Sequence, residues 1–172
     1  IPPGEISRAL SKAMVAGKLI PIMFTDARDN VGVKALMDAI AAYFPSPVSG
    51  KQRVGIRGSG ETAQEVPLPV KADGVVWAQV FKLTADPFVG KLVFFRVYSG
   101  KLSKGDTVLN PRTGKRERIS RLIQIQADKR EDIETCYSGD IAAIVGIKNI
   151  TTGDTLCDED HPILLEPPSF PD

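Results

Sequence analysis

Side chains that build metal sites, disulfide frameworks and acid–base catalysis are scarce in this sequence. Its 172 residues include two cysteines, Cys136 and Cys157, and one histidine, His161. Two cysteines are too few for a disulfide framework or a structural zinc site, so we expect both to be buried as small apolar residues in a reducing compartment. One isolated histidine gives no signal for a metal site or a catalytic triad, and we expect His161 to lie in an exposed loop.

Long apolar runs and phosphate-binding motifs are also absent from the sequence. No apolar stretch approaches the roughly 20 residues of a membrane-spanning helix, which predicts no membrane partner. Neither a GxxxxGK(S/T) loop nor a GxGxxG turn occurs, so we expect no cofactor and no catalytic residue in this chain. The net charge of +1 gives no overall attraction to DNA or RNA, and RNA contact would require a local basic patch.

The first 44 residues show helical periodicity around one short apolar run. Gly17 suits the position after the first helix, and either Asp29 or Asn30 suits the cap of the second. The run between the helices, 19–24, fits a buried parallel strand, but a lone strand leaves backbone groups unpaired on both edges. The chain also begins with Ile1 rather than Met. We therefore expect a truncated α/β segment, helix–strand–helix, whose neighbouring strands belong to a longer protein.

Beyond this segment the pattern changes, first to a linker and then to short strands. Residues 46–71 are rich in Gly, Pro, Ser and charged side chains, which predicts a flexible linker. Stretches with a two-residue apolar period follow, separated by turn signals. They are 75–83, 92–98, 107–110, 115–126, 141–147 and 155–157. Six short strands without an intervening helix predict a mainly β fold, a closed antiparallel barrel.

Four segments of the predicted barrel carry a resemblance to a known family. In order they are TADPFVGKLVFFRVYSG from Thr84, KGDTVLN from Lys104, ADKREDI from Ala127, and SGDIAAIVGIKNITTGDTLCDEDHPI from Ser138. They resemble the second, β-barrel domain of the bacterial elongation factor G family of translational GTPases. The stretch 17–48 is similar to the end of that family's GTPase domain. The resemblance implies a GTPase-domain remnant at 1–47, a linker at 48–71, and domain II with the start of an exit linker at 72–172.

The resemblance also implies a function for the protein from which the chain comes. That protein would be a cytoplasmic, ribosome-dependent factor that promotes GTP-driven translocation of tRNA and mRNA. GTP or GDP with Mg would bind to parts that this chain lacks. The barrel would dock on small-subunit rRNA and pack against the GTPase domain and the C-terminal domains of the same polypeptide. Two alternatives stay open: a sister translational GTPase of the ribosome-protection or release type, and a stand-alone RNA- or protein-binding barrel.

A remnant of the guanine-binding site is implied at Asp26 and Ala27. The family carries a Ser-Ala turn after the final strand of its GTPase domain, and Asp26-Ala27 stands at the matching position. The backbone N–H of Ala27 could still meet guanine O6, because a backbone donor does not depend on the neighbouring side chain. The competing interpretation is that Asp26 simply turns the chain after the strand.

Two groups of basic residues are candidates for contact with rRNA phosphates. Five cations lie within ten residues around the turn that follows the third predicted strand, with a single acid among them. They are Arg112, Lys115, Arg116, Arg118 and Arg121. Lys129 and Arg130 form a second, weaker group, since Glu131 and Asp132 follow directly. A solvated strand face is the alternative for both groups.

The segment DPFVG is a candidate for contact with a neighbouring domain. Pro87 fixes its φ angle and Gly90 permits a tight re-entry into the next strand, so a structural turn that begins at Asp86 accounts for both. An aromatic residue at a turn tip exposes apolar area unless it has a partner. We therefore expect Phe88 to pack against another domain, with burial in the barrel mouth as the alternative.

Overall fold

The structure is a computed structural model that describes residues 2–167. The chain divides into two compact units, with the boundary between Lys51 and Gln52. The first unit is helical and the second consists almost entirely of antiparallel strands. Among the described residues, no helix has the length and apolar character that a bilayer crossing would need.

Helices α1 (Pro3–Val15) and α2 (Val33–Tyr43) form the regular part of the first unit. Gly17 follows α1 with φ of 67°, and the Lys18 N–H donates to the Ala13 carbonyl at 2.8 Å, as the sequence predicts for a helix end. The predicted cap of α2 at Asp29 or Asn30 is wrong. Gly32 is the N-cap. The position requires glycine, because its φ is 72° and a Cβ there would lie 2.7 Å from the Phe24 carbonyl oxygen.

The apolar run 19–24 lies between the helices and is not a strand. It has no β-ladder partner in the described part of the chain, and its side chains are exposed: Ile20 by 83%, Ile22 by 79% and Phe24 by 91%. The expected burial in a parallel sheet is therefore not observed. The reason is that a strand requires a neighbour for its backbone N–H and C=O groups, and the described residues supply none.

Much of the stretch expected to be a linker is a β-hairpin. Strands β1 (Arg53–Arg57) and β2 (Gln64–Leu68) pair antiparallel around a short 3-10 helix, Gly60–Thr62, and β1 also pairs with β13 (Leu164–Leu165). Leu68 is buried in an apolar cluster with Trp77 and Ile163. Long-range packing therefore orders residues whose local composition is typical of a linker.

The second unit also contains a curved eight-stranded antiparallel sheet and a two-stranded sheet. The order in the large sheet is β7-β6-β12-β3-β4-β11-β8-β9, and β5 pairs with β10. The strands are β3 (Trp77–Asp86), β4 (Gly90–Ser99), β5 (Lys101–Ser103), β6 (Thr107–Asn110), β7 (Lys115–Arg118), β8 (Arg121–Gln126), β9 (Lys129–Ile133), β10 (Thr135–Tyr137), β11 (Ile141–Val145) and β12 (Thr155–Cys157). The mainly antiparallel β-fold agrees with the sequence prediction.

Two details of the strand prediction are wrong. The predicted strand 115–126 is two strands, because Ile119 is fully buried and leaves the ladder to bond with the loop before β6. Its N–H donates to the Asp106 carbonyl at 2.8 Å, and its own carbonyl accepts from Gly105 at 2.7 Å. Strand β9 was not predicted, since its sequence KREDI lacks apolar alternation and pairing with β8 alone places it in the sheet.

The main core lies on one face of the large sheet. It contains alternate residues of β4, namely Val93, Phe95 and Val97, together with side chains from β3, β8, β11 and β12. The opposite face of β4, β8 and β11 carries a second, smaller apolar cluster around Leu92, Ile123 and Ala143. The large sheet thus packs apolar side chains on both faces.

Candidate nucleic-acid interface

The five-cation group predicted from the sequence does not form one continuous patch. Arg112 lies within the β6–β7 turn, Lys115 begins β7, and both line a shallow cleft. Arg116 forms an ion pair with Glu159, and Arg121 lies on β8 with its Nε 2.6 Å from Asp132 Oδ1. Arg112 is also paired, with Asp154, so acids compensate three of the five cations and two of the five line one cleft. Arg118 forms no ion pair with any described residue.

The cleft brings two distant parts of the sequence together. It has a volume of about 350 Å³ and lies between the β6–β7 turn and the loop that follows β11. Its lining consists of Arg112, Thr113, Lys115, Lys148, Asn149, Ile150 and Thr151, with no acidic side chain among them. The cations and the Asn149 amide around an open cleft offer hydrogen-bond donors to an anion.

A buried carboxylate fixes one side of this cleft. Asp154 is 3% exposed, and its oxygens accept from Arg112 Nε at 2.5 Å, Arg112 Nη2 at 2.9 Å and Asn110 Nδ2 at 2.9 Å. Thr151 adds its backbone N–H at 2.9 Å and its hydroxyl at 3.1 Å. Burial alone would raise the pKa of Asp154, but these hydrogen bonds outweigh it and lower the pKa to about 2. The ion pair leaves Lys115 and Lys148 as the uncompensated charges of the lining.

Lys148 and Lys91 are functional candidates that the sequence analysis missed. The ammonium group of Lys91 donates to the carbonyl oxygens of Lys148 at 3.2 Å and Ile150 at 2.9 Å, so it holds the loop and adds a positive charge to it. Lys148 lies far from the β6–β7 turn in sequence and has no other cation beside it. Only the pairing of β12 with β6 and β3 brings its loop to the turn.

The second basic group is linked to the DPFVG turn. Arg130 on β9 forms an ion pair with Asp86, at 2.5 Å from Nη2 to Oδ2, while Lys129 forms no ion pair with a described residue. Asp86 also accepts the backbone N–H groups of Phe88 at 2.9 Å and Val89 at 3.0 Å. These two bonds, and then the Arg130 charge, lower the pKa of Asp86. Asp86 therefore compensates the Arg130 charge within the chain, and Lys129 is the cation of this group without such a pair among the described residues.

Phe88 is exposed at the tip of the turn between β3 and β4. Its exposed fraction is 85%, so the alternative of burial in the barrel mouth is not observed. Gly90 has φ of 79°, the left-handed conformation that the tight re-entry requires. Pro87 lies between the aspartate and the phenylalanine, and Asp86 closes the turn by accepting two backbone N–H groups. The turn is thus well ordered while its aromatic tip has no partner among the described residues.

Asp26 forms the turn that the structural interpretation predicts. Its Oδ1 accepts the N–H groups of Arg28 at 3.0 Å and Asp29 at 3.2 Å, and its backbone bridges to Val31. Ala27 lies inside this turn and donates no backbone hydrogen bond to a described residue. The side chain of Asp26 thus orders the turn.

Comparison with known proteins supports the sequence-based resemblance. Residues 90–157 match the family described as elongation factor Tu domain 2. The whole chain is 46% identical over 172 residues to an elongation factor G from Pseudothermotoga lettingae, of which it spans 24%. A crystal structure of a protein from Thermus thermophilus superposes with a TM-score of 0.69 at 21% identity, covering 94% of this chain and 21% of that one. At that identity the superposition establishes the fold alone.

These matches bear on how much of a larger protein the chain represents. The chain spans about a quarter of the length of the curated relative, and the matched family covers the large sheet from β4 to β12. The identity extends across both compact units. The resemblance to the elongation factor G family is therefore confirmed over the whole chain, which corresponds to about a quarter of one of its members.

Proposed function

We propose that the chain is the part of a cytoplasmic, ribosome-dependent translocation factor that docks on small-subunit rRNA. The complete factor would bind GTP or GDP with Mg and promote movement of tRNA and mRNA. The cleft between the β6–β7 turn and the 148–151 loop would receive the rRNA backbone. The observation that carries the proposal is the convergence of Arg112, Lys115 and Lys148 on a cleft whose lining includes no acid.

The chemistry of the cleft suits a phosphate backbone. Lysine ammonium groups are strongly hydrated point charges that attract phosphates without demanding one orientation. The side-chain amide of Asn149 can donate to phosphate or ribose oxygens, and the open shape admits a continuous strand. Asp154 takes up much of the charge of Arg112, so we assign most of the electrostatic attraction to Lys115 and Lys148.

Charge reversal in the complete factor tests this assignment. We expect Lys115→Glu with Lys148→Glu to weaken binding to the small ribosomal subunit and to lower ribosome-stimulated GTP hydrolysis. Each lost phosphate contact should reduce the log–log salt slope of binding by roughly 0.7 to 0.9. Arg118→Glu is the matched control, because Arg118 is exposed and has no ion pair within residues 2–167 but lies outside the cleft lining.

Two results would contradict the proposal. One is an equal loss of binding in the Arg118→Glu control, which would indicate a response to net charge alone. The other is unchanged binding and salt slope in the double variant. Arg116→Glu is less informative, since its ion pair with Glu159 would be lost at the same time.

We further propose that the exposed DPFVG tip packs against another domain of the same polypeptide. The exposure of Phe88 on a turn closed by two hydrogen bonds to Asp86 supports this proposal. Phe88→Ser should leave unfolding of the 172-residue chain unchanged and lower the melting temperature of the complete factor. An equal melting temperature in both complete proteins would refute it.

The guanine-binding role of Ala27 also remains a proposal for the complete factor. Its support is the position of Asp26-Ala27 after the apolar run 19–24 and the Ala27 N–H, which donates to no described residue. Asp26→Ser would restore the family's residue. We expect it to change the affinity of the complete factor for GDP by less than about tenfold, because the proposed donor is the Ala27 N–H and not the side chain.

A further inference from the structure

Lys91 lies next to the point at which the chain leaves β11 for the loop that lines the cleft. Its neighbour Leu92 pairs with Val145, the last residue of β11. The side chain of Lys91 is partly buried, and its Nζ atom lies 3.2 Å from the Lys148 carbonyl oxygen and 2.9 Å from that of Ile150. Strand pairing therefore places one ammonium group within hydrogen-bond distance of two loop carbonyls.

These two bonds are the described hydrogen bonds of the loop backbone at residues 148–150. Within the part of the chain that the structure describes, no N–H or carbonyl of these residues bonds to another backbone group. Ile147 and Ile150 are buried in the main core and attach the loop by apolar contact, which is not directional. The directional contacts that set the backbone here therefore come from Lys91.

The same short segment carries side chains of the cleft. Lys148 and Asn149 are exposed and belong to the lining, whereas Lys91 does not. A carbonyl oxygen carries partial negative charge and would repel a phosphate nearby, so an ammonium group that binds two carbonyls reduces this repulsion. Hydrogen bonds from a charged donor are also roughly twice as strong as those between neutral groups. One cation beside the cleft thus both holds its loop and favours an anion there.

We propose that Lys91 is a positioning residue of the RNA cleft, which holds the 148–150 backbone and thereby fixes Lys148 for contact with a phosphate. The inference rests on the proposed function of the cleft. Lys91 acts through the loop, because it is not among the residues that line the cleft. Arginine can replace it, since a guanidinium group also offers several N–H donors to carbonyl oxygens. Methionine cannot, because it keeps an apolar stem but has no donor.

Hydrogen exchange in the 172-residue chain tests the structural part of the proposal. The Thr151 amide reports on the loop, because it donates to Asp154 directly after the segment that Lys91 holds. Lys91→Met should speed exchange of this amide by about tenfold, and more than exchange of the amides of β4, because the loop opens without unfolding of the sheet. Lys91→Arg should keep the original rate.

Lys82→Met is the matched control for the exchange measurement. It removes the same charge from the neighbouring strand β3, where the Lys82 ammonium lies 5.7 Å from the centroid of the Phe94 ring. No hydrogen bond joins Lys82 to the loop within residues 2–167. The Thr151 amide should therefore exchange at the original rate in this variant.

A double-mutant cycle in the complete factor tests the link to RNA. Lys91→Met should weaken binding to the small ribosomal subunit by about fivefold when Lys148 is present, and by less than about twofold when Lys148→Ala is present, because coupled residues are not additive. Lys91→Arg should bind as the original factor does. This rescue distinguishes positioning by an N–H donor from a need for lysine itself.

Three results would overturn the proposal. They are unchanged Thr151 exchange in Lys91→Met, equal weakening of binding with and without Lys148→Ala, which would indicate a direct phosphate contact by Lys91, and failure of Lys91→Arg to restore binding. The failure of the proposed function is distinct. Unchanged binding in Lys148→Ala, combined with faster Thr151 exchange in Lys91→Met, would refute RNA docking at the cleft but support the positioning of the loop by Lys91.

Discussion

Removal of the buried charge at Asp154 should destabilise the barrel strongly. Asp154→Asn keeps the shape of the side chain but gives up the ion pair with Arg112 and turns one acceptor oxygen into a donor. The folded-state pKa of about 2, compared with 3.8 without the fold, corresponds to about 2.5 kcal/mol of stability at neutral pH. Arg112 is half exposed, so solvent screening reduces the contribution of the Arg112–Asp154 ion pair to stability. The new asparagine NH2 group would in turn face the N–H donors of Arg112 and Asn110.

Urea unfolding followed by Trp77 fluorescence measures this effect in the 172-residue chain. Trp77 is the only tryptophan, is 5% exposed, and donates its Nε1–H to the His161 carbonyl, so unfolding changes its surroundings. With a urea dependence of about 1–3 kcal/mol per molar, a loss of about 2.5 kcal/mol should lower the midpoint by roughly 0.8–2.5 M. Glu159→Gln is the control, since its pair with Arg116 is exposed on both sides and should contribute less than about 1 kcal/mol.

The pH dependence gives an independent check of the same reasoning. A folded-state pKa below the unfolded value means that the contribution of Asp154 is fully present above pH 3.8 and is lost as the pH falls through about 2. The stability difference between the original chain and Asp154→Asn should therefore be constant from pH 7 to pH 5 and should shrink below pH 4. A variant within about 0.5 kcal/mol of the original at pH 7, or a difference that grows on acidification, would refute the reasoning.

Three further predictions concern single residues of the second unit. Gly55→Ala should cost about 1–3 kcal/mol in urea unfolding, because the new Cβ would lie 2.4 Å from Ile163 Cδ1 in a packed cluster; an unchanged midpoint would contradict this. Cys136 should resist a thiol reagent at pH 8 until the chain unfolds, since burial and then the nearby Asp140 charge raise the pKa of its thiol to about 12; fast labelling of the folded chain would count against it. Asp86→Ala should speed hydrogen exchange at the Phe88 and Val89 amides, and unaltered exchange there would show that the turn does not need the carboxylate.

The parts of the fold that the sequence predicted are those in which local chemistry and the final packing agree. Strands β6 and β12 have the predicted bounds because alternating side chains there lie between clear turn signals. Gly17 ends α1 as predicted, since the left-handed conformation after a helix favours glycine whatever the surroundings. The bounds of β6 and β12 and the end of α1 therefore depend on residues that are close together in the sequence.

The missed features depend on partners that are distant in the sequence. The β1–β2 hairpin has linker-like composition and is ordered by pairing with β13 and by the packing of Leu68 on Ile163. Strand β9 is polar and is held by its ladder with β8. Lys148 reaches the cleft only through the neighbours of β12. A single sequence without homologues carries no direct signal for such pairings.

Ion pairs account for most of the difference between the predicted and the observed candidate site. Sequence density placed five cations in one patch, but Asp154, Glu159 and Asp132 come from other strands and loops and neutralise three of them. Lys115 and Arg118 are left without a carboxylate partner among the described residues, and the structure adds Lys148 to the cleft. Lys115 and Lys148 line an open polar cleft, where a hydrated ammonium group can meet a phosphate in many orientations. The proposed binding of RNA at the cleft should weaken in high salt, since Lys115 and Lys148 are exposed and salt screens exposed charges most completely.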